Sequence, residues 1–247
     1  MTPLKFKGLG PESQAFTVAL REKYPKQKTH SSRLFQEAVH GDSLRSRSHA
    51  TMNLCFMGYR RGFKAFRRII EDFEAKWVAT GFDSHNLWSV PVEVTAEANF
   101  VADVLLLFGM MNTAGAHALI CQISETSPCA RLRASAVDAM GYEEDFFDRN
   151  IILRILKQEQ EHELFRRCAL WVFMMKLCQV PDSYRLRVKY VAPLLADHSS
   201  QVRMYAVDAL IPDRRFANAI RPLLNDPDLQ TADAARHALE TMEGCDE

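Results

Sequence analysis

One helical phrase recurs along the second half of this chain and constrains its fold more than any other feature. The segment Gln201-Val-Arg-Met-Tyr-Ala-Val-Asp-Ala-Leu210 is matched by Arg131-Leu-Arg-Ala-Ser-Ala-Val-Asp-Ala-Met140, which sets Ala136 in register with Ala206. Between them Phe165-Arg-Arg-Cys-Ala-Leu-Trp171 places Ala169 in the same register, and weaker copies surround Ala102 and Ala235. The steps from Ala102 to Ala235 are 34, 33, 37 and 29 residues. A shorter apolar segment precedes each later copy, at 118–123, 151–156, 190–195 and 219–224, with polar turns such as 196–200 and 225–228 between the two. Two short amphipathic helices per unit cannot bury their own apolar faces, so neighbouring units must stack. The register predicts helix pairs near 118–123/130–140, 151–157/162–177, 186–195/200–210 and 216–224/230–241.

Leu194-Leu195-Ala196-Asp197, followed by Val202-Arg203-Met-Tyr-Ala206-Val207-Asp-Ala209-Leu210, resembles the HEAT consensus. The likeness is less complete at 131–140, 151–170 and 219–239. It implies an all-α fold, a right-handed α-α superhelix (a HEAT-like solenoid) of four to five units over residues 91–247. The units are shorter than the roughly 40–47 residues usual for HEAT, so the compact HEAT-like variety is the closer likeness. Arg133, Arg166 and Arg203 then resemble the family's structural Asp–Arg ladder. Such a fold says little about function.

Residues 1–90 do not carry the register and are read as an irregular helical N-terminal cap. The stretch 23–47 is polar and basic without an apolar period and reads as loop and short helix. Residues 60–80 read as one helix, because Phe63, Phe66, Ile70, Phe73 and Trp77 recur every three or four positions. Arg60, Arg61, Lys64, Arg67 and Arg68 share it, giving a basic face that suits a capping helix, a phosphate-contacting surface or a membrane-surface helix. Glycine, aspartate, asparagine and proline in and around 82–90 mark the domain boundary. Charge follows the same division. Residues 1–80 hold 15 Lys and Arg against 7 Asp and Glu, a balance of +8, and the remainder carries −8.

Ten glycines and ten prolines are few for 247 residues, which favours helices over a turn-rich β architecture. No run approaches the roughly 18 apolar residues of a membrane span, and the N-terminus lacks the pattern of a signal peptide. The six cysteines form no Cys-x-x-Cys pair and most sit in apolar helical runs, which fits a reducing cytoplasm without zinc. Nucleotide-binding, hydrolase and zinc-protease motifs are absent. Glu37-x-x-His40 and Glu159-x-x-His162 have the spacing of di-iron bundles, but the further inward carboxylates of such a site are missing. Histidines 30, 40, 49, 85, 117, 198 and 237 have no ligand spacing and read as structural or surface residues. No metal and no cofactor is expected.

The repeat phase also picks out a face. Two residues beyond each register alanine stand Val104, Asp138, Trp171, Asp208 and His237, and one rung back stand Ser135, Tyr205, Arg167 and Asp233. The resemblance to HEAT-like proteins implies that this helix lines the concave side. An aromatic and acidic strip of this kind suits a protein partner, since Trp and Tyr are enriched in interface hot spots. The expectation is therefore a non-enzymatic, protein-binding chain that uses Asp138, Arg167, Trp171, Tyr205, Asp208 and His237. Its sharpest form is a bacterial cytosolic immunity-type inhibitor that masks a toxin or other enzyme, beside a generic adaptor or regulator. The alternative is a nucleic-acid enzyme resembling HEAT-like DNA glycosylases, with Asp138 and Trp171 at its centre. The −8 balance of the repeat half opposes it, because DNA binding relies on phosphate neutralisation.

Overall fold

The computed structural model describes residues 28–56, 61–80, 92–111, 113–143, 146–158 and 162–243. Every regular element among them is helical. The α-helices are α1 (Lys28–His40), α2 (Leu44–Phe56), α3 (Arg61–Ala79), α4 (Val92–Met110), α5 (Ala114–Thr126) and α6 (Ala130–Met140). They continue as α7 (Arg149–Ile155), α8 (Glu163–Leu177), α9 (Ser183–Leu186), α10 (Ser200–Leu210), α11 (Ala217–Ile220) and α12 (Leu229–Glu243). No described helix is long and apolar enough to cross a membrane. The chain forms two compact units, Met1–Phe147 and Asp148–Glu247.

In the first unit α1, α2 and α3 pack together around Leu34, Ala38, Ala50, Leu54 and Ala65. The expectation of loop and short helix over 23–47 is corrected here, since 28–40 is helical and a second helix begins at Leu44. The apolar period is faint because these helices bury small and polar side chains, among them Ala38, Ser48, Ala50 and Thr51. Helix α3 follows its sequence period, with Phe66, Ile70, Phe73 and Trp77 buried, while Phe63 is half-buried with its ring 5.5 Å from Phe108. Helix α4 packs against α2, α3, α5 and α6. These contacts keep α4 with the first unit. The boundary stretch 82–90 itself lies outside the described residues. At the α4–α6 contact a Cβ on Gly109 would stand 2.1 Å from the Ala139 carbonyl oxygen, so the two backbones meet where no side chain intervenes.

In the second unit α8, α10 and α12 lie side by side, α10 between the other two. Each follows a shorter first segment against which it packs: α7 for α8, residues 192–196 for α10 and residues 221–225 for α12. The register alanines of both units are at these contacts, for Ala102, Ala136, Ala169, Ala206 and Ala235 are all buried. The pairs predicted by the register are present, but the last two first segments are not continuous α-helix. After α9 the backbone makes a π-turn at Arg187–Val191 and a 3-10 segment at Ala192–Ala196. A 3-10 turn at Arg214–Phe216 precedes α11, and another at Arg221–Asn225 follows it. Pro193 and Pro222 sit near the start of the later 3-10 segments, where a missing N–H and a fixed φ end an α-helix.

The N-terminal ends of α8, α10 and α12 are tied in a ladder. Arg166, fully buried, pairs with the buried Asp197 in the next unit's turn, and its Nη2 donates to His198 Nε2 at 3.2 Å. Arg203 forks onto Asp226 one unit later, with Nε and Nη2 each 2.7 Å from a carboxylate oxygen. Ser199 caps α10 and donates to Glu163 at 2.5 Å, and the Thr231 hydroxyl donates to the Ser200 carbonyl at 3.1 Å. In the first unit Arg133 instead donates to the Ser127 carbonyl at 3.1 Å. The sequence did not signal Arg187, also buried, which donates to the carbonyls of Ala209 and Cys178, both at 3.1 Å. It supplies a cation where two helices end and their carbonyls lack partners.

Candidate functional site

In the second unit, several residues singled out by repeat phase make contacts between neighbouring helices. On α8, Arg167, Trp171 and Met175 follow one another at four-residue spacing and so share one side of the helix. The Arg167 guanidinium lies 5.0 Å from the centre of the Tyr205 ring on α10, and its Nη1 donates to Gln201 at 3.5 Å. Gln201 in turn donates to Gln230 on α12 at 3.3 Å. One rung along, Asp208 on α10 lies close enough to His237 on α12 to feel its charge. These pairs place Arg167, Tyr205, Gln201, Gln230, Asp208 and His237 on one surface, and the α8 spacing adds Trp171 and Met175.

This surface is open but not fully solvated. Arg167, Trp171, Tyr205 and Asp208 are half-buried, His237 is exposed, and Met175 is 49% exposed. Burial pushes the Asp208 carboxyl up from its ordinary range, and His237 offsets part of that rise. Asp233 is exposed and paired with Arg236 at 2.5 Å, so its charge is already answered. The strip is therefore more aromatic and less acidic than its sequence suggests. Two positions of the first unit depart from the face expected from repeat phase. Val104 and Ser135 are buried, because α4 and α6 pack closely on each other there. Asp138 also belongs to the first unit. It is half-buried on α6, its carboxyl raised by burial and lowered in part by Arg131.

On the basic helix α3, Lys64, Arg67 and Arg68 are exposed along one side, while Arg61 is half-buried with its guanidinium 5.6 Å from the Phe35 ring centre. Arg60 lies outside the described residues, as does Glu159. Of the two Glu-x-x-His pairs, Glu37 accepts a hydrogen bond from Ser46 at 3.0 Å. His162 is buried as the cap of α8, its Nδ1 accepting the Leu164 N–H at 3.1 Å. Among the described residues no group of three His, Cys, Asp or Glu side chains is placed to hold a metal ion.

One constellation escaped the sequence reading. On α5, His117 and Cys121 stand one turn apart, with Cys121 Sγ 3.4 Å from Nε2 and 3.8 Å from Nδ1 of the ring. His117 Nδ1 also lies 3.0 Å and 3.2 Å from the two carboxylate oxygens of Glu143, which is 1% exposed. Phe146 stacks on the same ring, centroids 5.8 Å apart. The spacing of four between His117 and Cys121 is visible in the sequence, but Glu143 comes from the turn after α6 and nothing local announces it.

No protein-family model matches the chain, and no curated protein is significantly similar to it.

Proposed function

We propose that this chain is a protein-binding module and that the α8–α10–α12 face of its second unit is the interface. The observation that supports this most directly is the run of cross-helix contacts from Arg167 through Tyr205 and Gln201 to Gln230. It presents Trp171 and Tyr205 half-exposed on a rigid support made by three helices. Rigid, amphipathic aromatic side chains lose little entropy when a partner covers them, which is why they recur as interface anchors. The repeat register and buried alanines support reading the second half as a HEAT-like right-handed superhelix whose second helices carry the binding side.

The partner of this reading is a protein with a basic surface. Asp208 is partly desolvated, and His237 offsets part of that cost. A cation brought by a partner would complement it better than water does once contact closes. Within this class our sharpest proposal is a cytoplasmic immunity-type inhibitor that covers the basic active-site cleft of a toxin, a task that needs no chemistry of its own. A second reading has its own observation: exposed Lys64, Arg67 and Arg68 on α3 are spaced to follow a phosphate backbone. Affinity purification with the full chain as bait, followed by titration of the recovered partner, tests both. The protein reading expects a protein whose binding is lost on Trp171→Ala or Tyr205→Ala. A nuclease-sensitive capture lost instead on Arg67→Glu with Arg68→Glu would replace it by the nucleic-acid reading.

A further inference from the structure

We infer that Cys121 is a reactive thiol of the first unit, activated by His117 and Glu143, and that it takes low-molecular-weight disulfides such as oxidised glutathione. The inference is independent of the protein-binding face, which lies in the other unit.

A thiol becomes a nucleophile as the thiolate, and a neighbouring imidazole favours that form either by accepting its proton or, once protonated, by its charge. Cys121 and His117 are held one helical turn apart on α5, so the sulfur stays beside the ring without any loop having to close. The sulfur is almost equally near both ring nitrogens, which sets it against the ring's face with Nε2 the nearer atom. The other side of the ring is fixed by Glu143. Both of its oxygens approach Nδ1, so Nδ1 carries a proton donated to the carboxylate; the Nε2 lone pair lies in the ring plane, so the sulfur over the face meets the charge of the protonated ring and not that lone pair. A buried carboxylate in that position supports the charged ring, and a charged ring beside the sulfur favours the thiolate. The three groups do not converge on a point. Glutamate and thiol flank different parts of the ring, and this suits activation of a nucleophile and not metal ligation.

The substrate class follows from what the site supplies. Attack on an acyl group would need donors aimed at a developing oxyanion. Exchange with a disulfide needs none, because the charge passes from one sulfur to another. The Cys121 thiolate attacks one sulfur of the small disulfide and forms a new S–S bond as the old one breaks. The departing thiolate takes up the proton held by His117. One thiol and one disulfide give one mixed disulfide and one thiol, with no further oxidant. Access fits a small reagent, since His117 is 24% exposed and Cys121 half-buried. The same unit contains its own controls. Cys55 and Cys129 are fully buried, and burial pushes both thiols upward, Cys129 to about 11.

The test treats the full-length chain with oxidised glutathione at neutral pH and follows each cysteine by peptide mass spectrometry. Cys121 is expected to be modified first, about tenfold faster than the half-buried Cys168 and Cys178 of the other unit. His117→Gln should slow Cys121 by about tenfold and leave those two cysteines unchanged. The ultraviolet absorbance of a thiolate should be present in the native protein and absent from both Cys121→Ser and His117→Gln. Glu143→Gln should give an intermediate rate. Because Glu143 is buried and its variant can fail to fold, the half-exposed His117 variant carries the decision. Modification of Cys121 no faster than Cys168 and Cys178, or unaltered by His117→Gln in a folded protein, would overturn the inference.

Discussion

Arg166 and Asp197 show how much one pair of side chains decides in this molecule. Both are nearly free of solvent, so removing one partner leaves a charge buried without its complement. Asp197→Asn is expected to cost about 3–5 kcal/mol in chemical denaturation, whereas loss of the exposed Asp233–Arg236 pair should cost well under about 1 kcal/mol. The carboxylates of the second unit respond to pH with opposite signs. Hydrogen bonds from Arg203 hold Asp226 below its ordinary value of 3.8. Its folded pKa is depressed, so its stabilisation is present above 3.8 and is lost as pH falls through the folded value. Asp208 is raised by burial, so its charge works against the folded state and acidification through its raised pKa adds stability. Repeat phase alone points Asp208 to solvent, and half-burial changes the expected result. Asp208→Asn should leave the melting temperature at neutral pH unchanged or higher, while Asp226→Asn should lower it and weaken the acid-limb dependence. A thermal melt series across pH on the two variants checks both signs.

At the scale of the helix, the small residues carry the architecture. Ala206→Leu would force extra methylenes into the contact at which α10 meets its neighbours, and Gly109→Ala would press a methyl group on the Ala139 backbone. Each should destabilise by about 1–3 kcal/mol through overpacking, measured by denaturant titration. A neutral Ala206→Leu would mean that the register has been misassigned. That register, with its five alanines and the arginines before Ala169 and Ala206, was legible because repetition multiplies a weak local signal. Helices α1 and α2 were not, since alanine, serine and threonine fill the buried positions where a period would show. The 3-10 segments at 192–196 and 221–225 carry prolines in otherwise helical stretches, and such boundaries depend on neighbouring packing as much as on sequence. The Arg187 cap and the Glu143 contact were illegible for another reason. Their partners lie 9 to 26 residues away and meet only after folding.

For the molecule as a whole, the second unit supports a mixed aromatic surface and the first holds a basic helix and a partly buried polar site. The central claim is that the α8–α10–α12 surface exists to be covered by a protein. Trp171 separates that claim from a purely architectural role, because it stands on the face and is half-buried within it. The decisive measurement takes Trp171→Ala and determines its melting temperature together with its affinity for the protein recovered with the native chain. The account predicts a variant that melts close to the native chain and binds weaker by about 2 kcal/mol or more, roughly thirtyfold. A folded Trp171→Ala variant that binds that protein with undiminished affinity would contradict it.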